Sequence, residues 1–208
     1  AAVWLVDRIL YRVGIHTFIV STHEREWVMG RAEPRVAPYT FRWATPEEVL
    51  AAAADAEPEW MDLPRVTAQL ERGERCMAAF LDDRLVSCTW SARGGPLIPG
   101  LTINVPPDHI YGHEAKTRAA HRGKGLYAAL VLTAAREACR EGMDMVGYVY
   151  AGNSRAVCGS IRMGRMRSGL IVCRSGRRPW GWVSPACRRE GIWVARQSPP
   201  GGAAPARC

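Results

Sequence analysis

The stretch TRAAHRGKGLYAAL, residues 117–130, decides how the centre of this chain folds. A strand-like segment ends there, two glycines separated by one residue make a tight turn, and an amphipathic helix begins at once. The first backbone N–H groups of a helix have no intrahelical partner and lie at the positive end of its dipole. Glycines at 123 and 125 permit a close backbone approach to a ligand. The turn therefore predicts an anion site, to which Arg122 and Lys124 add positive charge.

The segments on both sides of this turn alternate between strands and helices. Residues 109–117 are strand-like, residues 124–141 have the pattern of a long helix, and residues 144–150 are strand-like again. Two apolar runs at 76–81 and 85–92, joined by a polar turn, predict a β-hairpin. A βαβ crossover combined with antiparallel pairing predicts an α/β fold: a single mixed, mostly antiparallel sheet flanked by helices.

The remaining segments are shorter and less periodic. Thr45 followed by proline and two glutamates marks a helix start. The other expected elements are strands at 16–22, 41–44, 168–174 and 191–195, helices at 3–13, 45–56, 63–72 and 155–163, and a Gly/Pro-rich loop at 94–107. Residues 197–208 are expected to be a disordered tail.

Composition limits the class of protein. The chain has 208 residues, 48% hydrophobic and 23% charged, which is typical of a globular protein. Its apolar start, residues 3–20, is interrupted by charged residues and lacks the pattern of a signal peptide, so we expect a cytoplasmic protein without a transmembrane segment. The seven cysteines lack metal-ligand spacing and are expected to be buried, so no metal site is predicted.

The formal charge of +8 is concentrated at the C-terminal end, where residues 151–208 hold 11 arginines and one acid. Such a segment favours an acidic partner, either CoA phosphates, anionic lipid or nucleic acid. Nucleic-acid binding is disfavoured because no reading motif accompanies the charge. The 26 arginines against 2 lysines also indicate a biased coding composition.

Two other phosphate-binding motifs do not match the turn at Gly123 and Gly125. A Rossmann site is disfavoured because the third glycine is missing, and a Walker loop is excluded by its spacing.

The turn resembles the acyl-CoA loop of the GNAT superfamily of N-acetyltransferases, [R/Q]-x-x-G-x-[G/A]. Residues 122–127, RGKGLY, match it at Arg122 and at Gly125, whereas Tyr127 stands where a small residue is usual. The resemblance extends over about residues 39–175. It implies that the acyl-CoA would contact a run of residues on both sides of the turn: Lys116, Thr117, Arg122, Gly123, Lys124, Gly125, Leu126 and Tyr127.

A second segment resembles the same family at the expected distance downstream. Asn153 and Ala156 match its N-x-x-A pattern beside the pantetheine arm, and Gly164 follows, with Arg165 in place of the expected phenylalanine. Many members place a tyrosine four residues before that glycine as the proton donor for the leaving thiolate. Here the position is Ser160, so the donor is absent or is supplied differently.

The family reaction, direct attack of an amine on a thioester, needs a base for the ammonium proton and a donor for the carbonyl oxygen. The resemblance assigns the oxyanion donors to backbone N–H groups of the strand at 109–117. Candidate catalytic side chains on that strand are His113, Glu114 and Tyr111, with Ser160 as a further donor on the thiolate side. Alternation places Tyr111 and His113 on one face and Glu114 on the other, unless a bulge redirects them.

These observations predict an acyl-CoA-dependent N-acyltransferase that uses acetyl-CoA, without a metal, to acetylate a primary amine of a small molecule. We expect residues 1–37 to form an N-terminal extension and residues 38–196 a GNAT-like acyltransferase domain, with a homodimer as an open alternative to a monomer. The competing interpretation is a non-catalytic acyl-CoA-binding or interaction module, which the residues at 160 and 165 keep open.

Overall fold

The structure is a computed structural model that describes residues 12, 14–55, 60–95, 97–98, 100–153, 156–157, 167–175 and 178–197. Most of the predicted helices at 3–13 and 155–163 lies outside these residues, as do Ser160, Gly164, Arg165 and the tail beyond residue 197.

The described residues form eleven strands and five α-helices. The strands are β1 (Ile15–His23), β2 (Thr40–Trp43), β3 (Arg75–Leu81), β4 (Arg84–Arg93), β5 (Leu97–Ile98), β6 (Leu101–Asn104), β7 (His109–Thr117), β8 (Asp144–Tyr150), β9 (Arg167–Arg174), β10 (Trp180–Val183) and β11 (Trp193–Arg196). The helices are α1 (Arg25–Met29), α2 (Pro46–Ala54), α3 (Leu63–Glu71), α4 (Leu126–Arg140) and α5 (Pro185–Arg189), with a 3₁₀ turn at Ala119–His121.

Eight strands form one sheet in the order β10-β9-β1-β8-β7-β4-β3-β2. Of the described strand pairs, only β7 and β8 run parallel, and α4 is the crossover between them. All other described pairs are antiparallel. The mixed, mostly antiparallel sheet flanked by helices is confirmed.

The structure has features that the sequence did not predict. The loop predicted at 94–107 contains β5 and β6, which pair with β11 in a second, three-stranded sheet, so the sheet is not single. The strand near the N-terminus lies inside the main sheet: β1 pairs with β8 on one side and β9 on the other. Residues 15–23 therefore share a sheet with the residues predicted as the acyltransferase domain. The strand β10 and the helix α5 were not predicted.

Local chemistry explains where several elements begin. The Thr45 side chain accepts from the Glu48 N–H while the Glu48 carboxylate accepts from the Thr45 N–H, a capping box worth about 1 kcal/mol. The hairpin turn uses Asp82 and Asp83, both with positive φ, which suits the right-handed twist of the flanking strands. The predicted cap and hairpin are therefore both confirmed.

The core lies on the two faces of the sheet. On one face α4 packs through Leu126 and Leu130 against Ile110 and Met145. On the other face α2 and α3 cover β3 and β4 around Trp60 and other buried side chains, and the small sheet with α5 covers β1, β8 and β9. This packing fixes α4 and α3 on opposite sides of β7, which is the strand that carries the predicted catalytic residues.

Candidate active site

The site begins where β7 and β8 separate. Their parallel pairing runs from His109–Asp144 to Gly112–Gly147 and stops there. Beyond it β7 continues beside β4, and β8 continues beside β1, so the two strands diverge. A cleft of about 600 Å³ fills the space between them. Among the residues that line it are His113 and Glu114 of β7 and Tyr148 of β8.

The glycine turn lies at one end of this cleft. Gly123 and Gly125 have φ of 77° and 79°, a region that suits glycine, and a Cβ on either would meet no atom within 4 Å. Gly125 is the N-cap of α4 and offers no side chain, so the first N–H groups of the helix have no capping partner. Fifteen residues of aligned peptide dipoles stand behind them. The predicted anion-binding turn has the geometry that such a role requires.

Two cations of the turn are held differently. Arg122 lines the cleft, and its Nε donates to the carbonyl oxygen of Thr117 at 3.1 Å, across the turn. Lys124 is directed to the other side, where its Nζ donates to the Tyr39 hydroxyl at 3.1 Å. That hydroxyl also lies 3.0 Å from Nδ1 of His121. Tyr39, which is buried, therefore anchors the turn from the opposite side, a role that the sequence did not indicate.

A β-bulge interrupts β7 beside the cleft. Cys88 pairs with Lys116 and Trp90 with His113, so β7 has one extra residue, and Glu114 has a positive φ of 48°. Strict alternation had placed Glu114 on the face opposite His113. The bulge overturns this, because a carboxylate oxygen of Glu114 lies 3.8 Å from Nδ1 of His113.

The carboxylate of Glu114 is held by helix α3. One oxygen contacts the Arg65 guanidinium, and the other accepts from the Gln69 side chain at 3.4 Å. Gln69 is buried, whereas Arg65 is largely exposed. These two donors tie the Glu114 carboxylate to α3 and occupy about half of its lone-pair sites, so His113 is the less constrained candidate base on β7.

His113 has a second acidic neighbour that the sequence analysis missed. Its Nε2 lies 3.0 Å from a carboxylate oxygen of Glu74, although the contact is not aligned as a hydrogen bond. Burial raises the pKa of the Glu74 carboxyl, but the contacts from His113 and Arg72 outweigh it, so the net shift of that pKa is downward. Glu74 therefore remains charged beside the imidazole.

Two tyrosines adjoin this histidine. The Tyr111 ring stacks on His113 with centroids 4.9 Å apart and meets the Tyr148 ring edge-on at 4.9 Å. Burial raises the pKa of both phenols, so both stay protonated at neutral pH. Tyr148 lines the cleft, and within the described residues its buried hydroxyl has no hydrogen-bond partner. Tyr111 is behind His113 and is not part of the cleft lining.

Most of the predicted cofactor contacts surround the cleft. The lining includes Lys116, Thr117, Arg122, Tyr127, Asn153 and Ala156. Leu126 differs, because its side chain is buried in the core and only its backbone N–H is available to a ligand. Asn153 also has a structural role, since its side chain accepts from the Ala156 N–H at 3.1 Å.

The end of β7 supplies backbone donors. The Arg118 N–H donates to the carbonyl oxygen of Val86 in β4 at 3.0 Å. Because ladder bonds alternate in an antiparallel pair, the N–H of Thr117 points away from β4. On that side lies the cleft, which Thr117 lines. The Thr117 N–H is therefore open to a ligand in the cleft, and the backbone oxyanion donors stay a prediction.

Three further features concern metal-binding groups, cysteines and membrane-spanning helices. No group of three or more His, Cys, Asp or Glu side chains with metal-binding geometry occurs among the described residues. The five cysteines in that part of the chain are buried and free. None of the helices described here has the length and apolar character needed to cross a membrane.

Comparison with known proteins gives similarity in structure but not in sequence. No family model and no curated protein matches the sequence. An acetyltransferase of the GNAT family from Colwellia psychrerythraea has a TM-score of 0.52 at 12% identity over 76% of this chain. A Drosophila protein has a TM-score of 0.51 at 15% identity over 88% of this chain. A functionally unknown conserved protein from Staphylococcus epidermidis has a TM-score of 0.50 at 10% identity over 80%.

These similarities concern the fold. The chain spans 54% of the Colwellia protein, 57% of the Drosophila protein and 64% of the Staphylococcus protein. At such identities a shared architecture is established, and activity is not. The GNAT-like acyltransferase fold expected from the resemblance is confirmed.

Proposed function

We propose that this chain, which has the GNAT fold, is an acyl-CoA-dependent N-acyltransferase that transfers an acetyl group to a primary amine by direct attack in a ternary complex. The observation that carries the proposal is the cleft between the diverging strands β7 and β8, with an uncapped helix N-terminus at its end. An elongated thioester with an anionic end fits this arrangement.

The acyl carrier would lie along the cleft with its pyrophosphate at the turn. The first N–H groups of α4 and the Arg122 guanidinium are donors suited to that charge. Lys116, which also lines the cleft, adds a second cation. The pantetheine arm would then run between the strands, where Asn153 and the Thr117 N–H offer polar contacts. The acetyl-CoA is a cosubstrate, and the proposal requires no metal.

His113 would take the proton of the ammonium group. Placing its hydrogen on Nε2, beside Glu74, leaves Nδ1 with a lone pair. The neutral amine nitrogen then bonds to the thioester carbonyl carbon, and backbone N–H groups of β7 stabilise the oxyanion. Glu114, between His113 and Arg65, orients the base and contributes negative charge that favours a cationic acceptor.

Collapse of the tetrahedral intermediate breaks the carbon–sulfur bond. The departing thiolate would take a proton from the Tyr148 hydroxyl, which lines the cleft and has no described partner. The second proton of the amine nitrogen restores the phenol, and His113 releases its proton to solvent. The net reaction converts an ammonium group and a thioester into an amide, a thiol and one free proton. Ser160, the donor named from the sequence, lies outside the described residues and stays a prediction.

Ligand binding and turnover test the two halves of this proposal separately. In a thermal-shift series, acetyl-CoA and desulfo-CoA are expected to raise Tm, and double-stranded DNA is not. The absence of a shift with every CoA species would refute the proposal. Thiol release followed over a set of small primary amines then measures turnover.

Binding without turnover on any amine would favour the competing interpretation, a non-catalytic acyl-CoA-binding module. Loss of thiol release in His113→Ala with retained acetyl-CoA binding is the result expected for a base. The predicted cytoplasmic location, the homodimer and the domain limits at residues 37/38 and 196/197 stay predictions.

A further inference from the structure

A second depression lies on the other side of the same helix. The start of α4 directs Tyr127 and Val131, one turn apart, into the cleft. Ala128 and Leu132, also one turn apart, face a separate groove of about 300 Å³ between α4 and the segment that follows β1. We call it the α1–α4 groove. Gly125, at the N-terminus of α4, also lines this groove, so the glycine turn separates the groove from the cleft.

The α1–α4 groove combines apolar walls with positive charge. Trp27, Val36 and Leu132 supply the walls, and Arg31 and Arg35 supply two guanidinium groups. The Arg31 guanidinium stacks over the Trp27 ring at 4.1 Å. No acidic side chain lines the groove, and neither arginine forms an ion pair within the described part of the chain. An apolar slot with unpaired guanidinium groups suits a flat ring that carries a phosphate.

The position of the groove identifies which ligand would fit. A pyrophosphate bound by the first N–H groups of α4 would lie at the N-terminus of the helix, between the cleft and the groove. In the acyl carrier, the pantetheine arm is attached to one phosphate of the pyrophosphate and the adenosine to the other. If the pantetheine enters the cleft, the adenosine is free to continue past Gly125 to the opposite side of the helix.

We propose that the α1–α4 groove binds the nucleotide end of the acyl carrier, with the purine against Trp27, Val36 and Leu132 and the ribose 3′-phosphate at Arg31 and Arg35. This assignment rests on the proposed function. It gives the segment at residues 23–36 a role in selecting a 3′-phosphorylated carrier, because its two arginines meet a phosphate that 3′-dephospho-CoA lacks.

Calorimetric titration with three carriers tests the proposal. The wild-type protein is expected to bind CoA about tenfold more tightly than 3′-dephospho-CoA, since two charge-assisted contacts are lost. The Arg31→Ala/Arg35→Ala variant is expected to lose this preference and to bind 4′-phosphopantetheine unchanged. Arg93→Ala/Arg196→Ala removes two exposed arginines elsewhere and controls for net charge. Ala128→Leu fills the groove without changing charge and is expected to weaken CoA but not 4′-phosphopantetheine.

The outcomes separate this proposal from the one it rests on. If the wild-type protein binds no CoA species, the acyl-CoA function itself fails. If CoA binds, the double arginine variant keeps the wild-type preference for the 3′-phosphate and Ala128→Leu binds CoA as tightly as wild type, the groove assignment is wrong while the acyl-CoA function stands. An equal loss of affinity in the Arg93/Arg196 control would show general electrostatic attraction and would also overturn the groove assignment.

Discussion

Glu74 and His113 meet at 3.0 Å on the face of the sheet opposite α4, with both side chains largely buried. Glu74 comes just before β3, and His113 lies on β7, two strands away in the sheet. The imidazole thus has a carboxylate near each ring nitrogen, Glu74 at Nε2 and Glu114 at Nδ1. A histidine between two acids is stabilised when it carries a proton, which is the state a general base reaches during the reaction.

The first prediction concerns Glu74→Gln. The amide keeps the size of the side chain but removes the charge that stabilises the imidazolium. We expect kcat/KM for the amine to fall by about 10- to 100-fold. The KM for acetyl-CoA should stay within about twofold, because Glu74 is not part of the cleft lining.

Glu71→Gln is the matched control for this experiment. Glu71 is exposed at the end of α3, three residues before Glu74, and its variant should keep the wild-type kcat/KM. A kcat/KM in Glu74→Gln within about twofold of wild type would exclude Glu74 from the reaction.

The second prediction concerns stability and pH. The folded protein lowers the pKa of Glu74 below its ordinary value of 4.5. A lowered carboxyl pKa contributes stability above the ordinary value, and the contribution is lost as pH falls through the lowered value. Wild type should therefore exceed Glu74→Gln in Tm at pH 7, and the difference should shrink below about pH 4.5. A Tm difference that is constant from pH 7 to pH 3 would contradict this.

The glycine turn, the strand before it and the helix after it were predictable because their signals are local. Two glycines one residue apart and a 3.6-residue apolar period identify a strand–turn–helix without knowledge of any partner. The cap at Thr45 and the hairpin at Asp82 and Asp83 are local for the same reason. The small sheet was not predictable, since β5 and β6 are two and four residues long in a Gly/Pro-rich segment and depend on β11.

The side chains around the base depend on register. Glu74 reaches His113 only because β3, β4 and β7 pair as they do, and a single sequence does not specify those registers. The bulge at Glu114 likewise lacks a sequence signal, because the residue with positive φ is not glycine. Tyr148, in contrast, could have been identified from the sequence. It lies on the strand after the crossover, and alternation places residues 146, 148 and 150 on one face of that strand.

The third prediction concerns Tyr148→Phe. Removing the hydroxyl takes away the proposed proton donor to the thiolate while the ring keeps its edge contact with Tyr111. We expect kcat to fall by about 10- to 100-fold, with the Kd for acetyl-CoA and the Tm within error of wild type. An unchanged kcat would exclude Tyr148 as the donor. A parallel loss of acetyl-CoA affinity would instead assign the hydroxyl to binding.

The fourth prediction compares two glycines at opposite ends of α4. Gly125 precedes the helix with φ of 79°, and Gly142 follows it with φ of 81°. A Cβ at either position meets no atom within 4 Å, so the cost of alanine is backbone strain alone. That cost is about 1 kcal/mol in each case. The pair therefore separates the effect of strain from the effect on the ligand.

Both Gly125→Ala and Gly142→Ala are expected to lower Tm by a few degrees, by similar amounts. Only Gly125→Ala should also lose most of the thermal shift produced by acetyl-CoA, because relief of its strain tilts the first N–H groups of α4 and its methyl group lies where the pyrophosphate approaches. Differential scanning fluorimetry over a range of acetyl-CoA concentrations measures both effects in one series. Equal ligand-induced shifts in the two variants would show that the anion does not bind at the N-terminus of α4.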